Sequence, residues 1–499
     1  MLELKQLYSQ TLIYGFSSVL ARVLNFLLVP LYTSIFLPSE YAIVTEMYAY
    51  AAMLMILGSF GMETSMFRYI NKYKKQDGST IFSTAFAFVF FNAITLLIIG
   101  SVFYQSISNS IGYNNNPEYV LYFAFIIAFD LITIIPFALL RQQNKAKSFA
   151  LIKTINIIIN IFCNVLFFIV IPFFIKTSYL QFSHILGGYS ISVEYVFLSN
   201  LIASFVTIIF LMRIINKNLS SFDYNIFRKM LKYAAPILVA GIAFVINESA
   251  DKILLKYLLP KSVSMRELGI YSACYKLTIF MTLFVQAYRY AAEPFFFNKF
   301  NQPNSKKIYS LMLQLFALVS GFIFLLIVLN LEIVKLIIPN PLYHEGVKII
   351  PIVLLANIFL GIYYNLSVWY KVIDKTYYAA IISTIGALIT IVFNLLLIPK
   401  IGYMGAAWST MLCYLSMMAI SFVLGRRNYF INYNVYKSSS YIIIAILILF
   451  LSSASKYEIY NNIQIDNTIF ILLYTIFMYK EIKKIFKQNK NKLNENPSY

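Results

Sequence analysis

The sequence predicts an all-α polytopic membrane protein of about 14 transmembrane helices, and three observations carry that prediction. Of 499 residues, 60% are apolar and 12% charged, against roughly 45–50% and about 25% in soluble domains. About 300 apolar residues far exceed what one water-soluble core can hide, but match about fourteen spans of about 20 residues each. The Lys and Arg residues, finally, fall mostly on alternate connections, the pattern that orients helices in a bilayer.

Apolar stretches long enough to cross about 30 Å of hydrocarbon lie near 11–36, 41–66, 81–104, 119–140, 149–172, 191–212, 233–255, 268–291, 309–330, 347–369, 378–398, 405–424, 438–454 and 467–480. The last is the weakest. The lead MLELKQLYSQTLIYG lacks a short apolar region followed by a small-residue cleavage site and reads as a cytoplasmic entry into the first span. Of the 40 Lys and Arg, 27 fall on one side, 8 on the other and 5 inside spans. Both termini are therefore expected in the cytoplasm, as an even number of spans requires. The connections are short, which leaves any chemistry to the spans and their mouths.

An internal duplication is legible. Leu37-Pro38 ends the first span as Leu259-Pro260 ends the seventh, and aligning the prolines sets Asn25 on Asn247. NVLFFIVIP ending at Pro172 echoes NLLLIP ending at Pro399. The expected division is a six-helix bundle over 1–218, a second over 219–427, and two extra helices with a basic cytoplasmic tail over 428–499. Six is even, so both bundles insert the same way up, around a pseudo-twofold along the membrane normal.

Several function classes drop out. Three cysteines lie in apolar runs without a CxxC pair, and two histidines complete no metal set. No GxxxxGK[ST] occurs, so nothing supports an ATPase. The net charge of +20 orients the chain and does not indicate nucleic acid. No cofactor or metal is expected.

Charges inside spans cost at least about 2.5–3.5 kcal/mol each and mark candidate sites. Arg22 lies about twelve residues into the first span, on a polar stripe with Gly15, Ser18, Asn25 and Tyr32. It either faces substrate or is buried against a carboxylate of a neighbouring helix. The seventh span carries Asn247, Glu248, Asp251 and Lys252, with Glu248 four residues from Lys252; it reads as a coupling site, an external gate or a self-satisfied network. Lys276 and Arg289 lie in the eighth span, with Glu293 four residues beyond Arg289. Glu46 and Glu63, at opposite ends of the second span, are about 25 Å apart and cannot form one pair. Asp130, mid-way along the fourth span, is a candidate proton carrier or a buried partner for Arg22 or Lys276.

Longer stretches carry a family resemblance. Pro339 to Gly346 (PNPLYHEG), Pro351 to Lys371, Asn394 to Tyr414 with its Gly-Tyr-Met-Gly-Ala-Ala run, Gly58 to Tyr69, and ADKILLKYLL followed by LGIYSACYKL resemble the polysaccharide-biosynthesis membrane proteins of the multidrug/oligosaccharidyl-lipid/polysaccharide (MOP) exporter superfamily, including Wzx-type O-antigen flippases. The resemblance implies two bundles around a V-shaped central cavity. It also implies a cargo of polyprenyl-diphosphate-linked oligosaccharide, a lipopolysaccharide precursor, moved across the bacterial inner membrane by alternating access with H+ or Na+ coupling. Such a cargo needs cations for the diphosphate, which Arg22, Lys252, Lys276 and Arg289 would supply. Ser18, Asn25 and Asn247 would give a polar stripe for the sugar, and Glu63, Asp130, Glu248, Asp251 and Glu293 are the acids available for coupling or gating. A drug antiporter of the same fold is the alternative, although acids rather than bases should then dominate its cavity. A membrane glycan polymerase or ligase is a third reading, weakened by the short outer loops.

Overall fold

The computed structural model describes residues 19–20, 22–73, 78–176, 189–299, 304–458 and 463–494. Among them every regular element is helical. Eleven helices are long and apolar enough to cross a membrane, or twelve if one bent pair counts as a single span. Of the other two expected spans, the first is described from Arg22 onward, apart from two residues before it, and the last falls within Ile463–Asn494, which is not among the eleven. Ser18 lies outside the described residues.

The chain forms two compact units, Met1–Gly269 and Ile270–Tyr499. The first contains α1 (Arg22–Ile35), α2 (Pro38–Ser59), α3 (Met62–Lys72), α4 (Gly78–Val102), the short α5 (Tyr104–Ile111), α6 (Glu118–Gln142), α7 (Ala146–Val165), α8 (Ile171–Lys176), α9 (Glu194–Asn218) and α10 (Tyr224–Leu258). Local chemistry sets several ends. Pro38 opens α2 while the Leu37 N–H donates to the Glu40 carboxylate at 2.8 Å. Asp223 caps α10 by accepting from the Ile226 N–H at 2.9 Å.

The second span expected over 41–66 is present as Pro38–Lys72, with an interruption inside it. Phe60 and Gly61 adopt φ of 52° and 71°, which separates α2 from α3. A left-handed residue costs glycine little and phenylalanine more. The Gly58 carbonyl at the end of α2 is satisfied by Asn92 of α4, whose Nδ2 donates at 2.9 Å. A second irregularity joins α7 to α8, where residues 166–170 form a π-turn, a device frequent at functional sites.

The boundary between the units falls inside α11 (Ser264–Lys276). That helix is followed at a bend of 51° by α12 (Ile279–Lys299), so the eighth span expected over 268–291 is a bent pair. The second unit continues with α13 (Ser305–Val328), α14 (Ile350–Leu366), the short α15 (Val368–Val372), α16 (Tyr377–Ile401), α17 (Tyr403–Asn428), α18 (Val435–Glu458) and α19 (Ile463–Asn494). α16 and α17 pack as a hairpin so close that a Cβ on Gly405 would meet the Leu397 backbone at 2.5 Å. The C-terminal pair docks on α13: Tyr474 of α19 lies over Gly321 and donates to the Leu318 carbonyl at 3.2 Å.

Candidate functional site

A polar cavity of about 400 Å³ lies within the first unit, walled by α1, α2, α3, α6, α7 and α9. Asn25, Glu63 and Asp130, which the sequence pattern singled out separately, all line it. Asp130 accepts a hydrogen bond from Ser204 at 2.7 Å, and Ser204 also reaches Asn200. Glu63 forms an ion pair with Arg141 across the break between α2 and α3 and the end of α6. Lys153 completes the charges, its ammonium 4.4 Å from the centroid of the Phe137 ring. Two acids and two bases thus face one polar space within largely apolar helices. The side-chain hydrogen bond of Asp130 is thus to a serine hydroxyl of α9.

Lys153 and the asparagines of α7 were not singled out in sequence, yet a signal existed. Lys153, Asn156, Asn160 and Asn164 recur at three- and four-residue steps, placing them on one face of α7. Asn156 donates to Thr207 at 2.8 Å, Asn164 donates to Asn160 at 3.0 Å, and Tyr32 donates to Asn164 at 2.8 Å. The stripe of α1 therefore meets the stripe of α7 through Tyr32. Arg22 is exposed and makes no ion pair among the described residues.

A second polar centre sits at the end of the unit that carries α5. Glu46 is fully buried, and its carboxylate receives the Lys256 ammonium at 2.8 and 2.9 Å. Tyr113 also donates to Glu46, as does Tyr50 at 2.8 Å. The Tyr50 hydroxyl lies 2.8 Å from that of Tyr257, and Lys256 also donates to the Ile111 carbonyl. Burial and the Glu46 charge push the Tyr113 hydroxyl, in the connection after α5, well above the usual tyrosine range. It remains a donor wherever Glu46 is ionised. From this centre α10 runs antiparallel along α2 and α3 to the other end, where Ser65 and Tyr69 donate to the Met230 and Lys229 carbonyls at 3.0 and 3.1 Å and Arg68 stacks 4.0 Å over Tyr233. An ion pair closes one end of this seam and neutral hydrogen bonds with a cation–π contact close the other.

A helical unit with a charged internal cavity is a membrane-transporter feature, and comparison with known proteins names the family. The family model of polysaccharide biosynthesis proteins matches residues 7–300. The chain belongs to that family. No curated protein matches it in sequence. Among solved structures it is similar to the lipid II flippase MurJ in an inward closed conformation, with TM-score 0.69 and 15% identity over 94% of this chain and 99% of that one. It is also similar to an inward-facing multidrug resistance MATE family transporter of the MOP superfamily, with TM-score 0.60 and 12% identity over 84% and 94%. A MATE structure in the straight conformation matches with TM-score 0.60 and 12% identity over 85% and 95%. At these identities the likeness establishes the fold alone, and the expected all-α multi-span class agrees with it.

In this polysaccharide biosynthesis protein the remaining sequence-selected residues fall elsewhere. Asn247 and Asp251 are buried on α10. Lys252 contacts the Asp251 carboxylate at 3.0 Å and the Glu248 backbone carbonyl at 2.8 Å, so the carboxylate at its ammonium is that of the residue just before it, and Glu248, four residues back, contributes its main chain. In the second unit, Lys276 is exposed at the bend after α11. Arg289 lies 4.9 Å over the Tyr364 ring, and Glu293 receives the Lys371 ammonium at 2.5 Å.

Proposed function

We propose that this protein is a flippase for a polyprenyl-diphosphate-linked oligosaccharide, an O-antigen or other polysaccharide precursor, working in the bacterial cytoplasmic membrane. It moves the cargo by alternating access between bundles 1–218 and 219–427, with both termini cytoplasmic. The observation that carries the reading is the cavity holding Asp130, Glu63, Arg141 and Lys153 inside otherwise apolar spans. Charges so placed are retained at a cost. Their balance of two acids and two bases lets a proton or sodium ion change the net charge of the site and so bias one conformation over another. Asp130 is the coupling acid, and Ser204 of α9 donates to its carboxylate.

Arg22 presents an exposed cation beside Asn25 on the same face and serves as a contact for the diphosphate; Lys252 in the first unit and Lys276 and Arg289 in the second are the further cations assigned to it. Glu248, Asp251 and Glu293 hold those cations in place and gate access to them. Family membership and the MOP-type fold support a transporter over a membrane enzyme.

The test is genetic complementation in a polysaccharide-producing host. Arg22→Ala and Asp130→Asn should abolish surface glycan and accumulate lipid-linked precursor while membrane abundance stays normal. Normal glycan together with increased drug sensitivity would replace this reading with the drug antiporter.

A further inference from the structure

Beneath the Glu46 and Lys256 centre lies a second cavity of about 380 Å³, an open-sided slot lined by α2, α4, α5 and α6. Its chemistry is the opposite of the first. Of its fourteen lining residues only Tyr50 carries a polar side chain, and that hydroxyl is already engaged by Glu46 and Tyr257. Small residues make its floor: a Cβ on Gly100 would stand 2.6 Å from the Cβ of Ala124. Ile99 lines the slot and is 44% exposed, next to the strongly exposed Ile98 and Val102. The slot is thus continuous with the apolar surface that α4 turns outward.

We propose that this slot holds one acyl chain of a bilayer phospholipid. An apolar cavity of about 150 Å³ already stays dry and takes up benzene, and this one is more than twice as large. Water gains no partner there, and an empty slot would forfeit the dispersion contacts of its walls. The surrounding solvent is hydrocarbon. The slot offers no free polar group to select a head group, so occupancy follows concentration, and phospholipid chains are the bulk component of the bilayer. The chain comes from the leaflet at the α5 end, the outer one in the orientation that the Lys and Arg distribution gives. Tyr50 and Ile111 belong to both slot and ion centre; a seated chain therefore props the residues that close that end of the seam. This site is independent of what cargo the protein carries.

The test uses full-length protein in micelles doped with phosphatidylethanolamine bearing a diazirine in mid-chain. Photolysis should label peptides of α2, α4 and α6, and Ala51→Phe, which fills the slot, should reduce that label at least fivefold. Leu96→Trp fills it from α4 and should do the same, guarding against misfolding of either variant. Delipidated wild-type protein should regain thermal stability on adding phosphatidylethanolamine, whereas folded Ala51→Phe should not. Label spread evenly over all lipid-facing helices and indifferent to both variants would overturn the proposal. So would labelling of the slot by a diazirine polyprenyl phosphate and not by the phospholipid.

Discussion

Replacing Lys256 with Met would strand the Glu46 carboxylate, which has no exposed surface, without its cation. Lys256 supplies the neutralising charge, and two tyrosine hydroxyls remain. Breaking a buried pair by removing one partner typically costs about 3–5 kcal/mol, because an uncompensated charge is left behind. Replacing both partners, as in Glu46→Gln with Lys256→Met, is often nearly neutral. The double variant should therefore recover at least half of the loss, a coupling of about 1.5–3 kcal/mol on a double-mutant cycle. The protein carries its own reporter, since Cys163, Cys274 and Cys413 are all buried. A thiol-reactive dye added during a thermal ramp reads unfolding directly. Additive single and double effects would refute the reasoning, as would a Lys256→Met variant as stable as wild type.

The Tyr113 hydroxyl, held above its usual range, binds its proton in the folded state where the unfolded chain has lost it. The stability it contributes is complete below pH about 10 and declines as pH rises further, so Tyr113→Phe should flatten the alkaline limb of a melting-temperature profile between pH 9 and 11. Arg141 and Glu63 are each about one-third exposed at 36% and 34%; Arg141→Met should cost no more than about 1 kcal/mol in stability while lowering glycan export severalfold in the complementation assay. Gly269→Ala would place a Cβ 1.8 Å from the Pro38 carbonyl oxygen, a clash with backbone that no rotamer relieves, and should sharply reduce folded protein in membranes as measured by fluorescence-detected size exclusion. Gly78→Ala, whose Cβ meets nothing within 4 Å, is the matched control.

Much of the fold was legible because a bilayer imposes a one-dimensional rule. Each span must bring its own backbone hydrogen bonds and about 20 apolar residues, so composition along the chain reveals the helices. The stripes on α1 and α7 are equally local, fixed by helical periodicity. The break at Phe60 and Gly61 was not legible. Its cost is met by Asn92 from another helix, and Phe60 alone gives no warning of a left-handed conformation.

The sequence by itself determined that this is a multi-span helical membrane protein, and that a few charges inside its helices had to be explained. Only the tertiary structure decided which of them meet. Glu46 and Lys256 are separated by 210 positions, and Glu63 and Arg141 by 78, distances over which no periodicity operates. Whether a charge in a span is buried, paired or bathed in a cavity depends on what the neighbouring helices place opposite it, and that is a property of packing rather than of spacing.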